Sequence, residues 1–232
     1  MAKANLPAFI LAAGRGERMR PLTDSVPKPL LTVGGKSLIA WHLERLAAAG
    51  IHDVVINHAH LGGQLEEAVG DGSRWGVRVA WSREGVALET AGGIAKALPQ
   101  LGQSPFVVVS GDIYTEFDFA GLTDAARAIA LDPRRRAAHF VLVDNPPFHP
   151  RGDMGLADGR VRREGPLLTY ANIAVFHPAL FAGIAPGAHL KLFPWAYRFV
   201  DEGRVTGERF AGAWENLGTP AQLEALDRRL TR

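Results

Sequence analysis

The chain has 232 residues, 47% of them hydrophobic and 22% charged, with a mean hydropathy of +0.01; apolar content this high can offset the entropy of ordering, which excludes disorder as the main state. No apolar stretch approaches the roughly 18 residues that a membrane span needs, and the absence of cysteine excludes disulfides. Twenty-six Lys and Arg against 24 Asp and Glu leave a net charge of +2, too small an excess to point to nucleic acid as a partner.

In chain order, Ala8–Ala12 is a short apolar run that reads as a buried strand. The run from Phe9 to Ala13 is too short, and has too little positive charge beside it, for a secretory signal; a cytoplasmic location is expected. Residues 37–49 have helical spacing, with Ser37 as a plausible N-cap and Gly50 at the end. Strands follow at 53–57, 77–81, 105–110 and 139–143, with helices at 61–69, 92–98 and 118–131 between them. Such alternation predicts an α/β fold with a mostly parallel sheet covered on both faces. The basic run Arg134-Arg135-Arg136 follows Asp132-Pro133 and reads as a solvated turn.

From Pro146 the rhythm breaks. Asp158-Gly159 suggests a hairpin turn, 168–176 a strand, 191–201 a helix, 204–210 and 212–217 short strands, and 220–230 a closing helix. No linker or internal repeat interrupts the chain, so a single domain over 1–232 is expected.

The first strand runs into Ala12-Ala13-Gly14-Arg15-Gly16-Glu17-Arg18-Met19-Arg20. In open α/β sheets ligands sit at the carboxyl ends of strands. Gly14 and Gly16 permit close approach of backbone to a phosphate chain, and Arg15, Arg18 and Arg20 offer planar donors for its oxygens. Two common phosphate loops fail here. The dinucleotide fingerprint needs a glycine where Met19 stands and an acid where the second strand ends in Asn57; the P-loop needs a Gly-Lys-Ser/Thr that the chain lacks. An NAD oxidoreductase is disfavoured accordingly. Pro27-Lys28-Pro29 holds one of only five lysines in an extended segment beside this loop. No pair of histidines among His42, His58 and His139 has metal-ligand spacing, and Trp41 and Trp195 read as core.

Gly14-Arg-Gly-Glu-Arg-Met-Arg-Pro-Leu-Thr23 followed by Pro27-Lys28-Pro29 resembles the signature of the sugar-1-phosphate nucleotidylyltransferases. The likeness continues through Val55-Ile-Asn-His-Ala59, Leu88-Glu-Thr-Ala-Gly-Gly93, Ser110-Gly-Asp112, Val143-Asp-Asn145, Arg151-Gly-Asp153 and Trp214-Glu-Asn-Leu-Gly-Thr219. It implies a Rossmann-like, mostly parallel mixed sheet flanked by helices, with a nucleotide-binding half over 1–145 and a sugar-phosphate-binding half over 146–232. The implied reaction is attack of a sugar 1-phosphate on the α-phosphorus of a nucleoside triphosphate. Within the family, the short length and the Leu88–Gly93 loop most resemble the branch that joins UTP to N-acetylmuramic acid 1-phosphate in peptidoglycan recycling. Guanylyl or thymidylyl transfer to mannose or glucose 1-phosphate is the alternative, and a regulatory, sugar-nucleotide-binding homologue without turnover is another.

By the same resemblance Arg18, Lys28 and Asp112 are the catalytic residues. Ala12, Ala13, Gly14, Arg15, Gly16, Asn57, Glu89, Thr90 and Gly92 would bind the nucleotide. Ser110, Asn145, Asp153, Glu164, Asn172 and Lys191 would meet the sugar phosphate. Asp112 and Asn216 would hold Mg²⁺, which takes few carboxylates and shares substrate phosphates. The chain departs from the pattern twice. Asn216 stands where the family has an aspartate, and Glu164-Gly165-Pro166 replaces a Glu-Lys-Pro segment, leaving Arg151 or Lys191 to supply that charge. Glu215 is a poor substitute for the missing acid, since neighbours on a strand face opposite ways. No long carboxyl-terminal extension of the kind relatives use for assembly is apparent, so a monomer is expected.

Overall fold

The computed structural model describes residues 6–231. It begins with β1 (Ala8–Leu11), α1 (Leu22–Ser25), the ribbon of β2 (Thr32–Val33) and β3 (Lys36–Ser37), and α2 (Leu38–Ala48). Next come β4 (Asp53–His58), α3 (Gly62–Val69), β5 (Arg78–Arg83), α4 (Glu89–Leu101), β6 (Phe106–Ser110) and β7 (Ile113–Thr115). Then follow α5 (Leu122–Leu131), β8 (Ala138–Val143), β9 (Met154–Ala157), β10 (Arg160–Arg162) and β11 (Leu167–Phe176). The remainder is α6 (Tyr197–Asp201), β12 (Val205–Phe210), β13 (Trp214–Asn216) and α7 (Pro220–Leu230).

Successive strand residues face opposite sides of a sheet, and both sides here are covered. Ala8 and Ile10 of β1, with Val107 and Val109 of β6, join Ile39, Leu43 and Leu46 of α2 and Leu122, Ala126 and Ile129 of α5 in one core. Phe9, Phe106 and Val108 face the other way, onto Ala91, Ile94, Ala97 and Leu101 of α4 and the aromatic group around Phe140, Phe176 and Phe181. Burial on both faces is why these strands read as unbroken apolar runs rather than alternating ones.

Among the described residues nine strands form one sheet in the order β5-β4-β1-β6-β11-β8-β12-β10-β9. The block β5-β4-β1-β6 is parallel. Beyond it β11 runs antiparallel to both β6 and β8, β12 is parallel to β8, and the β9–β10 hairpin turns at Asp158-Gly159. The sheet is therefore mixed, with its parallel character concentrated in the first half. From β1 the chain builds outward through β4 and β5, then returns to place β6 on the other flank of β1. A crevice opens at such a reversal, beyond the carboxyl ends of β1 and β6.

Two local expectations are corrected. The helix expected over 191–201 forms only from Tyr197, because Pro194 disfavours helical backbone at Phe193 and has no N–H to donate; Phe193 instead packs against Tyr170 and Phe140. The helix expected over 92–98 starts earlier, at Glu89, and runs to Leu101. The short strands β2, β3 and β7 carry too few residues to display a period. β2 and β3 meet through Gly34 and Gly35, both at positive φ as a two-residue hairpin turn requires, and β7 forms because β13 pairs with it. Residues 134–136 form the exposed turn expected.

Candidate active site

The glycine-rich loop that leaves β1 is held by several ties. Gly16 sits at φ +69, and a Cβ there would lie 3.0 Å from Thr23 Cγ2 and 3.3 Å from Lys28. The Thr23 hydroxyl and the Met19 N–H both donate to the Gly16 carbonyl, each at 2.8 Å. Met19, standing where a dinucleotide loop needs its third glycine, is fully buried as a core side chain. Arg20 turns away to pair with Asp24 at 2.7 Å on the surface. Arg15 and Arg18 make no ion pair among the described residues, so two guanidinium groups stay available to an anion.

Lys28 is only 7% exposed, yet its Nζ reaches Asp112 Oδ2 at 2.7 Å. The proline-flanked segment brings the ammonium up from one side. From the other, the turn after β6 brings the carboxylate: Gly111 N–H donates to the Leu11 carbonyl at 2.8 Å, and a Cβ on Gly111 would come within 3.0 Å of that oxygen. The Gly111 contact thus ties the end of β6 to the end of β1.

These groups line a cavity of about 540 Å³, within the size range of small-molecule sites. Ala12 to Arg18, Lys28, Asn57, Glu89, Thr90, Ser110 and Asp112 are on its wall. Asn57 is 2% exposed and held at both ends: its Oδ1 accepts from the Ala12 N–H at 2.7 Å and its Nδ2 donates to Glu84 Oε1 at 2.6 Å. Gly92 sits behind the wall, where a Cβ would lie 2.0 Å from the Ala188 carbonyl oxygen.

A second cavity, of about 370 Å³, shares only Arg18 with the first. Its wall combines Phe148, Tyr170, Phe193 and Trp214 with the polar groups of His149, Asp153, Thr169, Asn172 and Asn216. The register slip between Tyr170 and Ala174 on β11 puts Asn172 at φ +58; bulges of this kind re-aim side chains beside sites. Asp153 accepts from the Tyr170 N–H at 2.8 Å and lies 2.9 Å from His149 Nε2. Burial pushes the Tyr170 phenol pKa up, so that ring stays neutral. Gly218 lies against the Arg18 guanidinium, 3.2 Å from where its Cβ would be.

A glycine-rich loop, two arginines with no ion pair among the described residues and a Lys–Asp couple thus stand at the reversal of a Rossmann-like sheet, beside a smaller aromatic cavity. Residues 7–147 match the family model described as nucleotidyl transferase. The chain belongs to the nucleotidyl transferase family. It is 49% identical over 224 residues to N-acetylmuramate alpha-1-phosphate uridylyltransferase of Neisseria meningitidis serogroup B, covering 94% of this chain and 96% of that protein. The protein of the same name from Caulobacter vibrioides is 38% identical, with 99% of both chains covered. Among solved structures, a putative glucose-1-phosphate thymidylyltransferase from Bacillus anthracis superposes with a TM-score of 0.83 over 97% of this chain and 95% of the other, at 20% identity. That last likeness carries the fold alone.

Within this transferase the remaining sequence candidates divide. Ser110 lines the larger cavity, and Asp153 and Asn172 the smaller. Asn145 lines neither; its amide donates to the Leu167 carbonyl at 2.9 Å and its oxygen accepts from the Thr169 hydroxyl at 2.9 Å, so it braces the loop behind Asp153. Glu164 lies in a separate groove with Arg162, Arg163, Val200 and Asp201. Lys191 and Arg151 are exposed and line neither cavity. Sequence reasoning missed Glu84, Ala87, Gly218 and the aromatic wall of the smaller cavity. Glu84 had a visible signal, an acid just past the third strand at the same sheet edge as Asn57; of the aromatic residues Trp214 stood in the Trp214–Thr219 segment, but nothing in the sequence joined it to Phe148, Tyr170 and Phe193, which converge from separate segments.

The residues present fit a hard divalent cation. Among the described residues Asn216 Oδ1 is buried with no hydrogen-bond partner, and Lys28 takes one Asp112 oxygen only. Asn216 pairs with Ile113 across β13 and β7, while the Leu217 N–H donates to the Asp112 carbonyl at 3.1 Å, so the two candidate ligands stand on adjacent strand ends. Oxygen donors few in number, with room for phosphate oxygens, suit Mg²⁺. Glu215 instead pairs with Arg229 of α7.

Proposed function

We propose that this nucleotidyl transferase moves a uridylyl group from UTP to N-acetylmuramic acid α-1-phosphate, yielding UDP-N-acetylmuramic acid and pyrophosphate, a step of peptidoglycan recycling. The observation that carries the substrate pair is the 49% identity over nearly the full length of both chains. The transfer chemistry rests on the Lys28–Asp112 couple on the cavity wall.

An oxygen of the sugar phosphate forms a bond to the α-phosphorus of UTP while the bond from that phosphorus to the β-phosphate oxygen breaks. The attacking oxygen is already an anion, so no side chain has to remove a proton. What the protein supplies is alignment and electrostatic stabilisation of charge spread over phosphate oxygens. The loop from Ala13 to Gly16 offers main-chain N–H groups to the nucleotide, the Ala12 N–H being donated to Asn57. Arg18 lines both cavities, and in this reading it meets the triphosphate on one side and the incoming phosphate on the other. Lys28 meets the charge that grows on the α-phosphate. Residues 1–145 would hold the nucleotide and 146–232 the sugar, whose N-acetyl and lactyl groups suit an aromatic wall.

Asp112 and Asn216 would hold Mg²⁺, which when bound neutralises phosphate charge. No helix among the described residues is long and apolar enough to cross a membrane; a reaction that consumes UTP suits the cytoplasm. The test is pyrophosphate release over a grid of nucleoside triphosphates and sugar 1-phosphates. Turnover with UTP and the muramyl substrate at least ten times that of any other pair is expected; binding of nucleotide without release would favour a regulatory protein instead.

A further inference from the structure

Glu84 follows β5 at the edge of the sheet where Asn57 stands. It lines neither cavity, yet both of its carboxylate oxygens are engaged. Oε1 accepts from Asn57 Nδ2 at 2.6 Å and Oε2 from the Leu88 N–H at 2.8 Å. With the Ala12 N–H donating to Asn57 Oδ1 at 2.7 Å, a continuous relay joins the phosphate loop to the segment 87–90 that forms the opposite wall.

The relay has a direction. A carboxylate only accepts, and an amide accepts at one end and donates at the other. Turning Asn57 over would press its NH₂ against the Ala12 N–H. Space is reserved for the arrangement: a Cβ on Gly93 would lie 2.6 Å from Glu84 Oε1 and 2.9 Å from Asn57 Nδ2. Leu88 is held from the far side as well, since the Leu190 N–H donates to its carbonyl at 3.0 Å. With both polar groups of Leu88 fixed, Ala87 and Thr90 are presented to the cavity at a set distance from the phosphate loop. Glu89, between them, is held at φ +62, a conformation that persists only where neighbours enforce it.

We propose that Glu84 is a positioning residue for base selection: it sets the distance between the phosphate loop and the 87–90 wall, and so decides which base fits while touching none. The proposal rests on the nucleotidyl-transfer reading above, in which the triphosphate lies on the arginine-bearing loop and the base therefore falls toward the 87–90 side of the same cavity, and it adds a determinant of specificity to that reading.

Glu84→Gln in the full chain tests it, because a glutamine must turn its NH₂ toward one of the two donors. An unpaired buried donor corresponds to about a tenfold to hundredfold loss. The expected result is a rise of that size in KM for UTP, a KM for the sugar 1-phosphate within about twofold of wild type, and preference for UTP over CTP and GTP reduced at least about fivefold. The double variant Glu84→Gln with Asn57→Asp reverses the middle bond: the introduced amide accepts from the Leu88 N–H and donates to the introduced carboxylate, which still accepts from the Ala12 N–H. It is expected to regain at least about half of the lost preference on a logarithmic scale. Uniform loss of kcat with both KM values unchanged overturns the proposal, as does unchanged base preference. A double variant no better than the single, or as poorly folded as a single that fails to fold, also overturns it. Calorimetric titration of each variant with UTP and GTP reads the same preference without turnover. A wild type that binds but does not turn over would therefore sink the transfer reading and leave this one to be judged separately.

Discussion

Lys28 Nζ lies 2.7 Å from Asp112 Oδ2 although 84 positions separate the two residues in the chain. The ammonium is buried and the carboxylate half-exposed, so the pair presents a cation whose only described partner is the proposed metal ligand. When nucleotide arrives, the charge that Lys28 can offer to phosphate is the charge that Asp112 now holds. Lys28→Met should lower kcat by about 10²–10³, the loss typical of one stabilising donor. Steady-state rates at saturating substrates check it; a fall of less than about tenfold would remove Lys28 from the chemistry.

Asn216 offers a metal an oxygen but no negative charge. Asn216→Asp should therefore tighten Mg²⁺ binding, lowering the concentration for half-maximal rate by about threefold to tenfold, since ligand charge count tunes such affinities. Mg²⁺ titrations of the two proteins at fixed UTP decide it. An unchanged or greater Mg²⁺ requirement in the variant would argue against position 216 as a ligand.

Gly92 is required by main chain rather than by a movable side chain. A Cβ there would lie 2.0 Å from the Ala188 carbonyl oxygen, and the segment holding Ala188 is itself fixed by bonds from the Ala91 and Gly92 N–H groups to the Leu190 carbonyl. Gly92→Ala should cost about 1–3 kcal/mol of stability, the usual penalty of overpacking, and raise KM for UTP by displacing the wall at Thr90. Denaturant unfolding measures the first effect and kinetics the second. Gly63, with open space around its Cβ position, is the control and should tolerate alanine.

His42 of α2 is buried beneath the Asp112 turn. Burial pushes its imidazole pKa down from 6.5 to about 4, opposed in part by the main chain of Ile113 and the charge of Asp112. Neither ring nitrogen makes a hydrogen bond of good geometry, which leaves burial dominant. Between these two values the unfolded chain binds the extra proton, so stability is full above about pH 6.5 and falls as the pH drops toward 4. The loss from this group is about 3 kcal/mol. Urea unfolding of wild type and His42→Leu across that window checks it, the variant showing a shallower decline; parallel declines would refute the assignment.

Much of the fold was legible in the chain because periodicity is local. The apolar runs of β1, β4 and β6, the helical spacing over 37–49 and the Asp158-Gly159 turn each declare themselves within a few residues. The glycine loop and Pro27-Lys28-Pro29 were equally visible, since glycine and proline act on the backbone where they stand. What fails locally is the helix expected over 191–201, where an apolar count concealed Pro194 and the packing of Phe193 onto Tyr170.

The tertiary structure alone decided which of the candidates meet. Strand order placed β6 beside β1, and with it Asp112 beside Lys28. Cross-strand pairing of β13 with β7 brought the main chain around Asn216 beside the Asp112 turn, with Asn216 on the wall of the smaller cavity. A register slip in β11 aimed Asn172 into the smaller cavity, while the hydrogen bonds of Asn145 turned it into a brace. Glu84 gained its place only through donors on Asn57 and Leu88. Local sequence fixes backbone conformation and which face of an element is apolar; contact between side chains far apart in the chain depends on how the elements are ordered and registered, and no window of sequence contains that.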